Sequence, residues 1–118
     1  MALNLAAITN ITATTSVSAN TGTAVTIIAA PSASTVVKIN SLYAANTGSG
    51  TYTVDVYVVR STVSFYLAKS LLVGTGTSTI VITKDAPVYL QETTDTLLVL
   101  CAGTTPTVTF TVSYDILS

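Results

Sequence analysis

Residues 51–60 alternate between two kinds of side chain, and this alternation constrains the fold more than any other feature of the chain. The odd positions are mostly polar, whereas the even positions carry the apolar side chains of Tyr52, Val54, Val56 and Val58. Successive side chains of a β-strand point to opposite faces of a sheet, so a period of two predicts a half-buried strand. Residues 107–115 repeat this pattern, with threonines and a serine separating Val108, Phe110, Val112 and Tyr114. Each of the two segments is therefore expected to turn one face toward a core.

Seven further segments are predicted to be strands because they are rich in β-branched and other apolar residues. They are residues 8–17, 24–29, 35–46, 63–72, 78–84, 88–91 and 96–102. Clusters of Gly, Pro and Asn separate them, and no segment has the 3.6-residue period of an amphipathic helix. We therefore expect residues 1–118 to form a single all-β domain. Its predicted architecture is an antiparallel β-sandwich or jelly roll of about eight or nine strands, with a closed barrel as the alternative.

Residues 1–20 differ from the rest of the chain because they are rich in Ala, Thr and Asn and have few large apolar side chains. They are expected to form either an edge strand or an extended arm that lies on a neighbouring subunit. The segment has neither the basic start nor the long apolar core of a signal peptide. The longest unbroken apolar run, residues 97–102, is far shorter than the roughly 20 residues of a membrane-spanning helix. We expect a soluble chain made in the cytoplasm, with no membrane partner.

The chain is unusually poor in charge: 8% of its residues are charged and 49% are hydrophobic. Globular domains average roughly 25% charged residues, and a monomer with so few charges has difficulty remaining soluble. Much of the surface is therefore expected to face another protein. The basic residues are far apart in sequence, which argues against a nucleic-acid partner; they are Lys38, Arg60, Lys69 and Lys84.

The residue types that perform most catalysis are nearly absent. The chain has no His and a single Cys, Cys101, which lies in an apolar run and is expected to be buried. A Ser nucleophile would lack a His base, and a transition metal would lack ligands. The acids are expected on polar strand faces or in turns; they are Asp55, Asp85, Glu92, Asp95 and Asp115. We expect no enzymatic activity, no cofactor and no metal, with a turn at residues 92–95 favoured over a calcium loop.

A candidate partner interface follows from the apolar residues that a single sandwich does not need. Tyr57 falls on the mostly polar face of its strand, and residues 97–102 are apolar on both faces, as in a central or an interface strand. The candidates are Leu3, Leu5, Ile8, Tyr57, Val59, Leu97 and Val99. We expect the chain to associate with itself as a dimer or trimer.

Three blocks of sequence resemble a known group of proteins. They are KINSLYAAN at residues 38–46, FYLAK at 65–69 and KDAPVYLQE at 84–92. In this order and at this spacing they resemble small virion structural proteins of tailed phages, particularly cyanophages and other marine phages. The matching stretch runs from about Thr35 to Leu98. Where that family tends to have Glu-Gly-Asp after the third block, this chain has Glu92-Thr93-Thr94-Asp95, so the loop differs.

The resemblance implies a part of a virion and leaves open whether it belongs to the head, neck or tail. Three functions are therefore considered. The first is a capsid decoration, or cement, protein on the head surface, with the major capsid protein as its partner. The second is a tail, neck or fibre component that acts in host attachment. The third, from another class, is a carbohydrate-binding β-sandwich. The chain has no Trp, which argues against this third function. The low charge and the lack of catalytic residues favour the first.

Overall fold

Strands make up most of the chain in the computed structural model, which describes residues 11–19, 22–103 and 105–118. No helix occurs within these ranges. The nine strands are β1 (Ile11–Ala19), β2 (Val25–Ile28), β3 (Val36–Asn46), β4 (Tyr52–Arg60), β5 (Val63–Val73), β6 (Ser78–Ile82), β7 (Val88–Leu90), β8 (Asp95–Cys101) and β9 (Val108–Leu117). The all-β fold predicted from the alternation is confirmed, and most strand ends lie within about two residues of the predicted positions.

The strands form two antiparallel sheets rather than a closed barrel. The first sheet has the order β1-β9-β3-β6, with β7 also pairing with β3, and the second has the order β2-β8-β4-β5. The pairing is nested along the chain, because β1 pairs with β9, β2 with β8, β3 with β6 and β7, and β4 with β5. A long hairpin rolled over on itself produces this order, so the sandwich is jelly-roll-like, as predicted.

The core lies between the two sheets and follows the alternation of the strands. The inward face of β4 supplies Val54 and Val56, and the inward face of β9 supplies Phe110 and Val112, all fully buried. These side chains belong to one continuous hydrophobic cluster to which both sheets contribute. The threonines of β9 lie on the opposite face and are half-buried. The apolar faces of β4 and β9 thus point toward the core, as the period of two predicted.

Asn46 is a buried polar residue that fixes one end of the sandwich. Its Nδ2 donates hydrogen bonds to the carbonyl oxygens of Gly50 at 2.5 Å and Val73 at 3.2 Å. Its Oδ1 accepts from the amide of Gly48 and from the hydroxyl of Thr107. A buried amide is tolerated when its donors and its acceptor are satisfied in this way. Asn46 therefore connects the end of β3 with the following loop, β5 and the approach to β9.

Of the two alternatives for the N-terminal region, residues 11–19 form an edge strand. β1 pairs with β9 along its whole length, from Ile11 opposite Leu117 to Ala19 opposite Thr109. The candidate interface residues Leu3, Leu5 and Ile8 lie outside the described residues.

Candidate interaction surface

The structure separates the remaining candidate interface residues into two groups. Tyr57 and Val59 alternate with the buried residues of β4, so they lie on the outer face of the second sheet, where both are half-buried. Leu97 and Val99 are fully buried in the core. Their inclusion in the interface was wrong, because their side chains are not available to a partner of the folded domain. β8 is nonetheless the central strand that its two apolar faces predicted, since it lies between β2 and β4.

The outward residues of β8 are Thr96, Leu98 and Leu100, all half-buried. Leu98 lies opposite Tyr57 of β4, and Leu100 lies opposite Asp55. Sequence reasoning missed these two leucines because a strand that is apolar on both faces gives no indication of which face is inward. Thr96 indicated the outer face of β8 correctly, since the threonines of β4 and β9 also lie on the outer faces of their strands. Asp95 indicated the opposite assignment of the two faces, because a charged residue is expected on the outer face, whereas Asp95 is buried.

The outer face of the second sheet carries a small aromatic cluster. The rings of Tyr57 and Tyr66, which are opposite each other on β4 and β5, have centroids 5.1 Å apart and an interplanar angle of 40°. The ammonium of Lys69 lies 4.8 Å from the centroid of the Tyr66 ring, a cation–π arrangement. With Leu98 and Leu100, these rings form a surface in which apolar side chains predominate.

The charged side chains on this face are partnered within the domain. Lys69 donates a hydrogen bond of 3.0 Å to Asp55, whose other carboxylate oxygen accepts from the amide of Ser70. The hydrogen bond to Asp55 raises the pKa of Lys69 above its usual value. Because the cation and the anion neutralise each other locally, the face offers a partner apolar contact rather than net charge.

The edge of the second sheet at β5 is also apolar and exposed. Val63, Phe65, Tyr66 and Leu72 each have half or more of their surface accessible. Within the described residues β5 pairs with β4 alone, so its other edge presents unpaired backbone groups. Natural proteins usually protect such an edge with charge, proline, bulges or a covering segment. Exposed apolar side chains on an open edge are typical of an interaction site.

The outer face of the first sheet contains a shallow groove. It has a volume of about 340 Å³, and its lining consists of Asn40, Ser41, Tyr43, Ile80, Thr83 and Lys84. Tyr43 and Ile80 are opposite each other on β3 and β6, and both are exposed. A single exposed aromatic ring beside Asn and Lys is a sparse sugar-binding platform, because such sites usually combine stacking surface with several convergent polar groups.

Residues 92–94 form a turn, as predicted, whereas Asp95 is the first residue of β8. The carboxylates of Glu92 and Asp95 are both used inside the domain. The carboxylate of Glu92 accepts a hydrogen bond from the amide of Ser34, and that of Asp95 accepts from Arg60, Thr94 and the amide of Gln91. These hydrogen bonds lower the pKa of both acids. Among the described residues, no group of three or more acids or cysteines is placed to hold a metal ion.

Cys101 is buried at the end of β8, as its apolar surroundings predicted. Burial raises the pKa of its thiol, so the reactive thiolate is disfavoured. The thiol therefore contributes to the core as a small hydrophobic side chain.

No protein-family model, curated protein or solved structure matches the chain. Over the residues that the structure describes, there is no helix long and apolar enough to cross a membrane.

Proposed function

We propose that this chain is a structural protein of a tailed-phage virion, and specifically a decoration protein that binds the outside of the assembled head across seams between major capsid protein subunits. The observation that carries the proposal is the outer face of the second sheet. There Tyr57, Leu98 and Leu100 present apolar surface, while Asp55 and Lys69 neutralise each other. A charge-poor domain with such a face is suited to remain attached to another protein.

The positions of two of the three resembling blocks support the same proposal. KINSLYAAN coincides with β3, and its inward residues Ile39, Leu42 and Ala44 belong to the core. FYLAK lies on the exposed edge strand β5, where Phe65 and Tyr66 have about half of their surface accessible. Packing of the core does not require aromatic residues at such exposed positions. A resemblance there is better explained by contact with a partner.

The physical role would be to add buried surface where the shell is under internal pressure. A subunit that binds the assembled shell, but not its dissociated parts, stabilises the shell by mass action. About 800 Å² of surface per partner is enough for a stable contact of standard size. Many copies arranged on a symmetric shell would strengthen a contact that is individually weak.

Heating of phage particles tests the proposal. Particles that lack the protein should assemble and carry tails, yet release their DNA at a lower temperature than complete particles. Adding back the purified protein should restore the release temperature. If particles without the protein are as heat-stable as complete ones but fail to adsorb to host cells, the protein acts in attachment and the decoration proposal is wrong.

A matched pair of variants connects this effect with the proposed face. Leu98→Lys places a charge on the outer face of the second sheet, whereas Thr111→Lys places one on the outer face of the first sheet. Both original side chains are half-buried. In the add-back experiment Leu98→Lys should restore little heat stability, and Thr111→Lys should restore most of it. The reverse result would assign the contact to the first sheet.

A further inference from the structure

Two β-bulges divide the exposed edge strand β5 into two parts. Pairing with β4 is regular from Arg60 opposite Val63 to Tyr57 opposite Tyr66, and the register then shifts on each side of Val56. The first shift leaves Leu67 as an extra residue, and the second lies near Ser70, which has a positive φ of 53°. Bulges and a lysine such as Lys69 are devices that prevent edge-to-edge pairing. The part before the bulges has neither.

Residues 63–67, which are the regular part of β5 and the first bulge residue Leu67, are called the open edge segment. The outward hydrogen-bonding groups of its regular part can be assigned. β4 and β5 are joined by the two-residue turn Ser61–Thr62, so the flanking residues Arg60 and Val63 form a hydrogen-bonded pair. Hydrogen-bonding groups then alternate along the strand. Those of Val63 and Phe65 face β4, whereas the N–H and C=O groups of Ser64 and Tyr66 point away from the sheet. These outward groups are available to another strand.

We propose that the open edge segment pairs with the same segment of a second copy of this chain, antiparallel and about a twofold axis that passes beside Phe65. The second sheets of the two copies would then join edge to edge through β5. In this register Ser64 of one copy lies opposite Tyr66 of the other, so all the outward backbone groups of these two residues find partners. The inference concerns the isolated chain and holds whether or not the protein belongs to a virion.

The segment is complementary to itself, which is what a twofold contact requires. The register that pairs Ser64 with Tyr66 also sets Phe65 against Phe65 and Val63 against Leu67, so apolar residues meet apolar residues. Residues 63–67 carry no charge, and the pairing therefore brings no like charges together. A closed twofold contact also uses the β5 edge of both copies, so neither β5 edge remains for further addition.

The exposed area sets the strength of the contact. Val63, Phe65 and Tyr66 are 50–53% accessible. With Leu67, these side chains offer roughly 300 Å² of accessible surface, since a large aromatic side chain can bury about 150–250 Å². This is less than half of the roughly 800 Å² per partner of a standard interface. We therefore expect a weak, concentration-dependent dimer rather than an obligate one.

Sedimentation equilibrium of the purified full chain at about 1–100 µM tests the proposal. The parent chain is compared with two variants, each of which carries a new charge on one part of β5. Phe65→Lys alters the open edge segment, and Leu72→Lys alters the bulged part, where the side chain is 63% exposed. We expect the parent chain and Leu72→Lys to dimerise, and Phe65→Lys to dimerise at least tenfold more weakly. A parent chain that remains monomeric, a trimer, or equal weakening by both variants would overturn the proposal.

Cysteine cross-linking gives an independent measurement of the register. Residues opposite each other at a non-hydrogen-bonded position have Cα atoms about 4.5 Å apart, which a disulfide can span. Phe65→Cys should therefore form a covalent dimer under mild oxidation, whereas Leu72→Cys and the parent chain, whose Cys101 is buried, should not. If Leu72→Cys cross-links as readily as Phe65→Cys, the copies associate through another surface and the proposed pairing is wrong.

Discussion

Arg60 donates two hydrogen bonds, each 2.7 Å long, to the two carboxylate oxygens of Asp95. The two residues are opposite each other on β4 and β8, and the carboxylate is fully buried while the guanidinium side chain is 42% exposed. Asp95 also accepts from the amide of Gln91 and the hydroxyl of Thr94. One buried carboxylate thus connects the end of the β4–β8 pair with the loop that enters β8.

Acid should weaken the fold through this carboxylate. The hydrogen bond from Arg60 is the main cause that lowers the pKa of Asp95 in the folded chain. A lowered folded-state pKa contributes stability that is present above the unfolded value of about 3.9 and is lost as the pH falls toward the folded value. The free energy of unfolding should therefore decline below about pH 4. Glu92, whose pKa is also lowered, should contribute in the same direction.

Replacing Arg60 by Ala should lower the free energy of unfolding at neutral pH and make its decline below about pH 4 shallower, because Asp95 would lose the partner that is the main cause of its lowered pKa. Asp95→Ala should lower the free energy of unfolding at neutral pH by about 2–3 kcal/mol, since it removes an acceptor used by several donors. Asp85→Asn, at an exposed turn position, is the matched control and should change neither quantity. Urea unfolding between pH 2 and 7, a range chosen to span the carboxyl titrations, makes the measurement. The same stability at neutral pH and the same decline in acid in Arg60→Ala as in the parent chain would contradict the assigned role.

Truncating the core should cost far more than truncating the outer face of the same strand. Phe110 is fully buried between the sheets, and Thr111 lies on the other side of β9 and is half-buried. Phe110→Ala should lower the free energy of unfolding by about 3–5 kcal/mol through lost transfer energy and the cavity left behind. Thr111→Ala should lower it by less than about 1 kcal/mol. Comparable losses in urea unfolding would mean that the outer face of the first sheet is covered in solution.

The β4–β5 turn should accept glycine with a gain in stability. Ser61 and Thr62, the two central residues, have φ values of 49° and 69°, which are unfavourable for a β-branched residue. Thr62→Gly should raise the free energy of unfolding by up to about 1 kcal/mol, because relief of the strain exceeds the added flexibility of the unfolded chain. Thr83→Gly is the control. Thr83 is exposed and its φ is not positive, so this change should lower the free energy of unfolding. Thermal unfolding of the two variants makes the comparison.

The sequence predicted local features well because they depend on neighbouring residues. Threonines between Val108, Phe110 and Val112 marked the outer face of β9, and the inward residues followed. The same reasoning failed at Leu97 and Val99, because residues 97–101 are apolar on both faces and the two polar residues that precede them, Asp95 and Thr96, lie on opposite faces. Strand existence was thus predictable throughout, whereas the inward face was predictable only where polar residues alternate.

Long-range relationships could not be predicted from the pattern. β1 pairs with β9 at the opposite end of the chain, and nothing in residues 11–19 specifies that partner. Arg60 and Asp95 are 35 residues apart, and only the register of β4 on β8 brings them together. Asp95 was predicted as part of a turn, and its burial became understandable only with its partner in place. The outer face formed by Tyr57 and Leu98 depends on the same register.

High salt should not release the protein from phage heads. The proposed contact face presents apolar side chains, and its charges at Asp55 and Lys69 are already paired with each other. Salt screens exposed ion pairs but does not weaken apolar contact. Particles washed in about 1 M NaCl, where the screening length is about 3 Å, should therefore retain the protein in the pelleted fraction. Its release by salt alone would show that ion pairs dominate the contact.

Locating the protein in the parent phage particle by electron cryomicroscopy tests the central claim most directly. The decoration proposal predicts density for this jelly-roll-like sandwich on the outer surface of the head, bridging neighbouring major capsid protein subunits. It also predicts that the face with Tyr57, Leu98 and Leu100 is turned toward the shell. Density confined to the neck, tail or fibres, or a particle that does not contain the protein, would contradict the account.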